Sequence, residues 1–268
     1  MTITQPARNL GTALITGAST GIGAVYADRL AKRGYDLILV ARDQTKLQQV
    51  ADTISTQYGN HIEVISADLT QKTDLHRIEE RLRNDSNITL LLNNAGLGAT
   101  SKLAEANLDE LETMISLNVT ALTRLSGAVV PGFVSRGKGV VINIASIVAL
   151  APEMLNGAYS GSKAYVVNFT QSMHHELSDK GIQVQAVLPG AIDTPFWGKS
   201  GLPVHHLPAQ IVMTPDNLVD AALAGFDSGE LITIPSLPDV KQWEALNAAR
   251  LVLAPNLSHN TPANRYLN

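Results

Sequence analysis

Apolar residues gather along the chain in runs of strand length, and between the runs they recur every three or four positions. The runs fall at 12–16, 36–40, 62–66, 88–93, 139–145, 182–188 and 230–234. Most are continuously apolar rather than alternating, the pattern of strands covered on both faces. Helical periodicity occupies 21–33, 43–57, 71–84, 107–130, 157–178 and 214–226. Right-handed crossovers turn such an alternation into an α/β fold, a doubly wound, seven-stranded parallel sheet with helices on both faces. No repeat, low-complexity tract or shift of composition divides the chain, so 1–268 is expected to be a single domain. The tail 235–268 differs, because Pro235, Pro238, Pro255 and Pro262 interrupt it around one helical pattern at 240–253. It is expected to pack on the sheet edge, cover the mouth of a site or reach a neighbouring subunit.

Composition narrows the functional classes. With 45% hydrophobic and 16% charged residues, core material is ample and a disordered chain is excluded. A net charge of −4 argues against bulk attraction to nucleic acid or anionic membranes. The chain has 0 cysteines, which removes disulfides, thiolate catalysis and cysteine-ligated metal. The histidine pairs 174–175 and 205–206 are adjacent, not spaced to converge on one helical face, so no metal site is expected. Residues 1–10 lack the basic start and apolar run of a signal peptide, and the apolar stretch 139–152 is too short to span a bilayer. A soluble, cytoplasmic protein is the expectation.

The first run leads into Thr16-Gly17-Ala18-Ser19-Thr20-Gly21-Ile22-Gly23 and then a helix. Glycines allow positive φ and close backbone approach, and a helix N-terminus presents unpaired N–H groups to an anion. The alternative is a tight strand–helix turn without a ligand. Asp68, after the third run, can accept from an adenine amine or cap the next helix. Asn93-Asn94-Ala95-Gly96, after the fourth, supplies small residues at the carboxyl edge of the sheet. The second run ends Ala41-Arg42-Asp43. An acid at 41 would repel a ribose 2′-phosphate, whereas the Arg42 guanidinium matches one, so NADP(H) is expected over NAD(H). Otherwise Arg42 is a solvated turn residue.

Tyr159-Ser160-Gly161-Ser162-Lys163 opens the helix after the fifth run. Positions i and i+4 share a face, so phenol and ammonium can converge. A cation about 4 Å away at an effective dielectric near 20 would bring a phenol from about 10 towards neutrality, where an acid/base works best. The bland counterpart is a core tyrosine beside a snorkelling lysine. Ser146, at the end of the fifth run, can donate to a carbonyl oxygen gaining charge. Asn118, polar among Ile115, Leu117 and Val119, must find partners. It could hold a water that joins Lys163 to solvent, or bend and bridge helices.

Taken together, these residues resemble the short-chain dehydrogenase/reductase family, in its single-domain branch, over residues 10–235. The resemblance implies a catalytic set of Asn118, Ser146, Tyr159 and Lys163. Tyr159 exchanges the proton, Lys163 lowers its pKa and holds the nicotinamide ribose, Ser146 orients the carbonyl and Asn118 maintains a proton relay. It implies cofactor contacts at Gly17, Ser19, Thr20, Gly21, Ile22, Gly23, Arg42, Asp68, Leu69, Asn94, Ala95, Gly96, Pro189, Gly190, Ile192 and Thr194, besides Tyr159 and Lys163. A homodimer or homotetramer packed through the helices of Asn118 and Tyr159 is also implied. Thr20 departs from the basic residue common in NADP-preferring loops, and Ala145 from the usual serine.

Substrate selection is expected at Leu97, Val148, Leu150, Met154, Phe196 and Trp197. The segment 193–213, with Leu202, Val204, Leu207 and Val212, is expected to form a substrate loop or lid. A hydrophobic ketone or aldehyde, or its alcohol, is the expected substrate. A carrier-bound 3-oxoacyl chain is the enzymatic alternative, although no basic cluster marks a carrier's docking site near Gly96 or Tyr159. A non-catalytic NADP(H) sensor is the alternative of another class. It would have no reason to hold Ser146, Tyr159 and Lys163 together.

Overall fold

The computed structural model describes residues 10–200 and 204–267. Residues 1–9, expected to lack a signal peptide, and Leu202 of the expected substrate loop lie outside them. The strands are β1 (Thr12–Thr16), β2 (Asp36–Ala41), β3 (Ile62–Ser66), β4 (Ile88–Asn93), β5 (Gly139–Ile144), β6 (Ile182–Val187), β7 (Ala191–Ile192), β8 (Val212–Met213) and β9 (Ile232–Thr233). Seven of them form a parallel sheet in the order β3-β2-β1-β4-β5-β6-β9. The expected sheet is therefore present, a Rossmann arrangement. The short pair β7–β8 is an addition that two-residue strands without a clear apolar pattern did not announce.

Continuous apolar runs become strands here because helices cover both faces. The helices are α1 (Gly21–Lys32), α2 (Gln44–Tyr58), α3 (Lys72–Asn84), α4 (Leu108–Ile115), α5 (Leu122–Arg136), α6 (Gly157–Leu177), α7 (Phe196–Ser200), α8 (Pro215–Asp227) and α9 (Val240–Leu253). One face packs Ala13, Ile15, Leu37 and Leu39 against Tyr26 and Leu30 of α1, Leu47 of α2 and Leu218 of α8. The other packs Leu14, Ile38, Leu91 and Val141 against Ile78 of α3, Leu125 and Phe133 of α5 and Met173 of α6. Strand order reverses between β2-β1 and β4-β5. The carboxyl ends of β1 and β4 thus splay apart into the crevice where doubly wound folds take ligands.

Two expected elements differ. The helix expected over 107–130 is α4 and α5, joined by a π turn at Ser116–Ala121 and continuing to Arg136. Its apolar circumference is also divided: Leu111, Met114, Leu122 and Leu125 are buried, whereas Leu108 and Ile115 are exposed. The last strand shrinks from 230–234 to two residues, because β9 pairs only with Ala186 and Val187 at the sheet edge.

The chain falls into two units, one ending at Pro235 and the other beginning at Ser236. The second contains α9, which has no buried residue.

Candidate active site

The crevice is built first from backbone. Gly17 has φ +67°, and a Cβ added to Gly23 would stand 2.3 Å from the Gly17 carbonyl oxygen, so turn and helix close on each other only as glycines. Asn94 reaches across from β4. Its Nδ2 donates to the carbonyls of Thr16 (2.9 Å) and Gly17 (3.1 Å), and the N–H groups of Asn94 and Ala95 donate to Thr16 Oγ1, both at 3.0 Å. No side chain caps α1 at Thr20, and its first turn holds no acid. Ser19, Gly21 and Ile22 are half-buried beside these N–H groups. That is a cradle for an anion at the positive end of a helix, and it suits a dinucleotide's diphosphate. The Thr194 methyl lies 3.0 Å from where a Gly21 Cβ would be, which brings the segment after Pro189-Gly190 against the glycine turn.

The outer residues divide. Arg42 is exposed at the end of β2 and makes no ion pair among the described residues. Its neighbour Asp43 is occupied elsewhere: it accepts from Lys46 N–H at 3.0 Å as the α2 cap, and that bond is the main force holding its carboxyl below the usual range. Asp68 uses one carboxylate oxygen on the Thr70 N–H (3.0 Å) and hydroxyl (2.7 Å), shaping the turn into α3. Leu69 points into the core, so only its backbone can meet a ligand. Pro189 and Ile192 are buried; the Pro189 carbonyl accepts from Ile147 N–H at 3.0 Å and the Ile192 carbonyl from Trp197 Nε1 at 2.8 Å.

The chemistry sits where β5 meets α6. Ser146 Oγ donates to the Pro189 carbonyl and accepts from Val148 N–H, both at 3.4 Å, and its hydroxyl lies near enough to the buried Tyr159 phenol to act on its acidity. Lys163 Nζ is 5.9 Å from the Tyr159 ring centre and donates to the Ile144 carbonyl at 2.9 Å. A Cβ on Gly96 would stand 3.5 Å from that Nζ and 3.2 Å from Asn118 Oδ1, so the end of β4 closes the group. The expected tetrad is therefore drawn from three places: Asn118 from the turn between α4 and α5, Ser146 from the end of β5, and Tyr159 and Lys163 from α6.

Its electrostatics correct the expectation for Tyr159. Burial pushes its phenol up to about 12, against a lowering contribution from the Ser146 hydroxyl. Burial also pulls Lys163 down to about 8. Desolvation disfavours both charged forms, and the ammonium is turned to a backbone carbonyl instead of the phenol oxygen. Attraction alone, without desolvation, gave the near-neutral expectation.

Asn118 is buried and finds its partners on other elements. Its Oδ1 accepts from Leu97 N–H (2.9 Å), and its Nδ2 donates to the Leu97 carbonyl (2.9 Å) and to Ser162 Oγ (3.1 Å). Asn118 itself lies in the π turn Ser116–Ala121, and such bulges are frequent at functional sites.

On the substrate side, Leu111, Met114, Val148 and Tyr159 form a buried apolar cluster with Leu97, Ala99, Ala106, Leu155, Ala158 and Phe196 packed against it. Phe196 lies 6.2 Å from the Tyr159 ring, and Trp197 meets Phe196 edge-on at 5.9 Å. Leu150 (39% exposed) and Met154 (56% exposed) lie outside this buried cluster. Leu150 follows the 3₁₀ turn Ile147–Ala149 and Met154 ends the turn Pro152–Met154, while Val148 and Leu155 are the residues of this segment that pack into the cluster. Leu111 and Met114 were missed because a helix face reads alike whether it meets a core, a neighbour or a substrate. Asn156 was missed too, although its place three residues before Tyr159 is a helix-cap signal.

The family model described as short chain dehydrogenase matches residues 11–203. A short-chain dehydrogenase from Sphingobium yanoikuyae, solved in complex with NADPH, is 47% identical; the match covers 96% of this chain and 100% of that one with a TM-score of 0.93. The bulky-bulky ketone specific alcohol dehydrogenase from Comamonas testosteroni is 44% identical over 97% of this chain and 100% of that one, with a TM-score of 0.90. Among curated relatives, a very-long-chain 3-oxoacyl-CoA reductase of Anas platyrhynchos is 37% identical over 79% of this chain and 67% of its own length.

Proposed function

The chain belongs to the short-chain dehydrogenase/reductase family, and from that premise we propose an NADP(H)-dependent oxidoreductase that interconverts a bulky hydrophobic ketone and its secondary alcohol. One observation carries the substrate class: Tyr159 is packed into an apolar cluster with Leu111, Met114 and Val148, against which Leu97, Leu155 and Phe196 lie. Such a wall favours apolar groups on both sides of a carbonyl. The relative named for bulky-bulky ketones supports the same reading.

When bound, NADP(H) supplies or accepts the hydride. The cradle at Gly17–Gly23, the free guanidinium of Arg42 and the NADPH-bound relative support this dinucleotide. In reduction Tyr159 gives its proton to the carbonyl oxygen, and in oxidation it takes one from the alcohol. Ser146 directs a hydrogen bond at the same oxygen as negative charge develops. Lys163, one helical turn after Tyr159 on α6, would hold the cofactor's ribose hydroxyls. A cytoplasmic homodimer or homotetramer belongs to this proposal, with the exposed Leu108 and Ile115 as apolar contact positions.

The curated 3-oxoacyl-CoA reductase relative favours a second reading, reduction of a 3-oxoacyl thioester at the same Tyr159. A panel separates them: NADPH oxidation by the purified protein with an aryl-alkyl ketone, a small methyl ketone and a 3-oxoacyl-CoA. The ketone reading predicts the highest kcat/KM with the aryl-alkyl ketone. A preference for the thioester would replace it, and tight NADPH binding without turnover of any would point to a sensor.

A further inference from the structure

Between β4 and α4 the chain forms a loop, residues 94–107, whose Leu97, Ala99 and Ala106 make one side of the apolar wall against Tyr159. Asn118 clamps one point of the loop at Leu97 through both backbone groups. A second amide reaches it from the other side. Asn156, only 5% exposed, caps α6: its Oδ1 accepts from the N–H groups of Ala158 (2.8 Å) and of Tyr159 itself (3.4 Å). Its Nδ2 donates to the Ser101 carbonyl at 2.5 Å.

Capping alone does not call for an amide. Serine, threonine or aspartate supplies the acceptor equally well. Asparagine adds a donor, and here that donor spends its bond on the loop. One planar group therefore fixes the backbone of the acid/base residue and the backbone of the wall facing it.

We propose that Asn156 is a specificity-determining positioning residue that ties the loop 94–107 to the start of the catalytic helix and so sets how a bulky carbonyl substrate seats beside Tyr159. The proposal rests on the ketone reading above. A small ketone that does not reach the loop should be indifferent to the tether.

Asn156→Ser keeps the cap and removes the tether, and Asn156→Asp does the same with a different acceptor should the serine variant fail to fold. Losing one hydrogen bond should raise amide hydrogen exchange across 97–106 about tenfold and lower kcat/KM for the aryl-alkyl ketone about tenfold. With the small methyl ketone, kcat/KM and the pH profile should stay within about threefold of wild type, and NADPH affinity should be unchanged. Equal losses with both ketones, or unaltered exchange over 97–106, would overturn the proposal. If wild type reduces neither ketone the functional reading fails, while the exchange comparison still decides whether the tether holds the loop.

Discussion

Burying an ammonium beside a phenol works against both groups, and Lys163 shows the cost. Its folded value, about 8, lies below its ordinary 10.5, so the unfolded chain holds the proton more tightly. Stability must then rise with pH between about 8 and 10.5. Tyr159 acts in the opposite sense: with a folded value of about 12 against an ordinary 10, its contribution is lost as pH climbs from 10 to 12. Lys163→Met removes the first effect. In urea titrations of the cofactor-free protein, wild type should gain about 2 kcal/mol on the variant between pH 7 and 10. A difference that does not move with pH would show that Lys163 is not held as a buried cation.

Arg42 is a residue whose neighbourhood decides its role. With Asp43 committed to the α2 cap, the guanidinium keeps its charge for a ligand. Arg42→Ala should weaken NADPH binding about tenfold or more, the worth of a charge-assisted hydrogen bond, and leave NADH nearly unaffected. Equal losses would remove the 2′-phosphate from its role. Sequence reasoning reached Arg42, the glycines and the tetrad because their chemistry follows from residue type and spacing. It missed Asn156, because a helix cap in the sequence does not say which loop the amide will reach.

At the scale of elements, the site depends on how β5, which ends before Ser146, is fastened to α6, which presents Tyr159. A chain of buried amides runs between them. Asn93 Nδ2 donates to Asn143 Oδ1 (2.9 Å) and Ser126 Oγ (3.0 Å), and Asn143 Nδ2 donates to Thr170 Oγ1 (2.9 Å). Thr170→Val keeps the shape but strands the Asn143 donor. It should cost about 1–3 kcal/mol of stability in denaturant titration, and Thr170→Ser clearly less. Equal costs would mean that packing, not the hydroxyl, joins the elements. The strands were legible as apolar runs. The break at Ser116–Ala121 was not, since a π turn leaves the apolar spacing intact on both sides, and Asn118 within it bonds Leu97, a partner 21 residues away.

For the whole molecule, strand order matters most. Alternating strands and helices made a doubly wound sheet legible. Its reversal beside β1 explains why a glycine turn, an Asn-Ala-Gly segment and a Tyr–Lys helix, far apart in sequence, line one crevice. Substrate selection was less legible, because the wall draws on α4, two loops and α7, and side chains meet there only after folding. In the proposed function these parts converge on the Tyr159 hydroxyl as the group that exchanges a proton with the substrate oxygen. Tyr159→Phe keeps the ring against Phe196 and deletes only that oxygen. Turnover of the aryl-alkyl ketone by this variant, measured beside its NADPH dissociation constant, is the direct test. The account predicts that kcat falls at least about a hundredfold while the dissociation constant stays within about twofold. Turnover near the wild-type rate would contradict it.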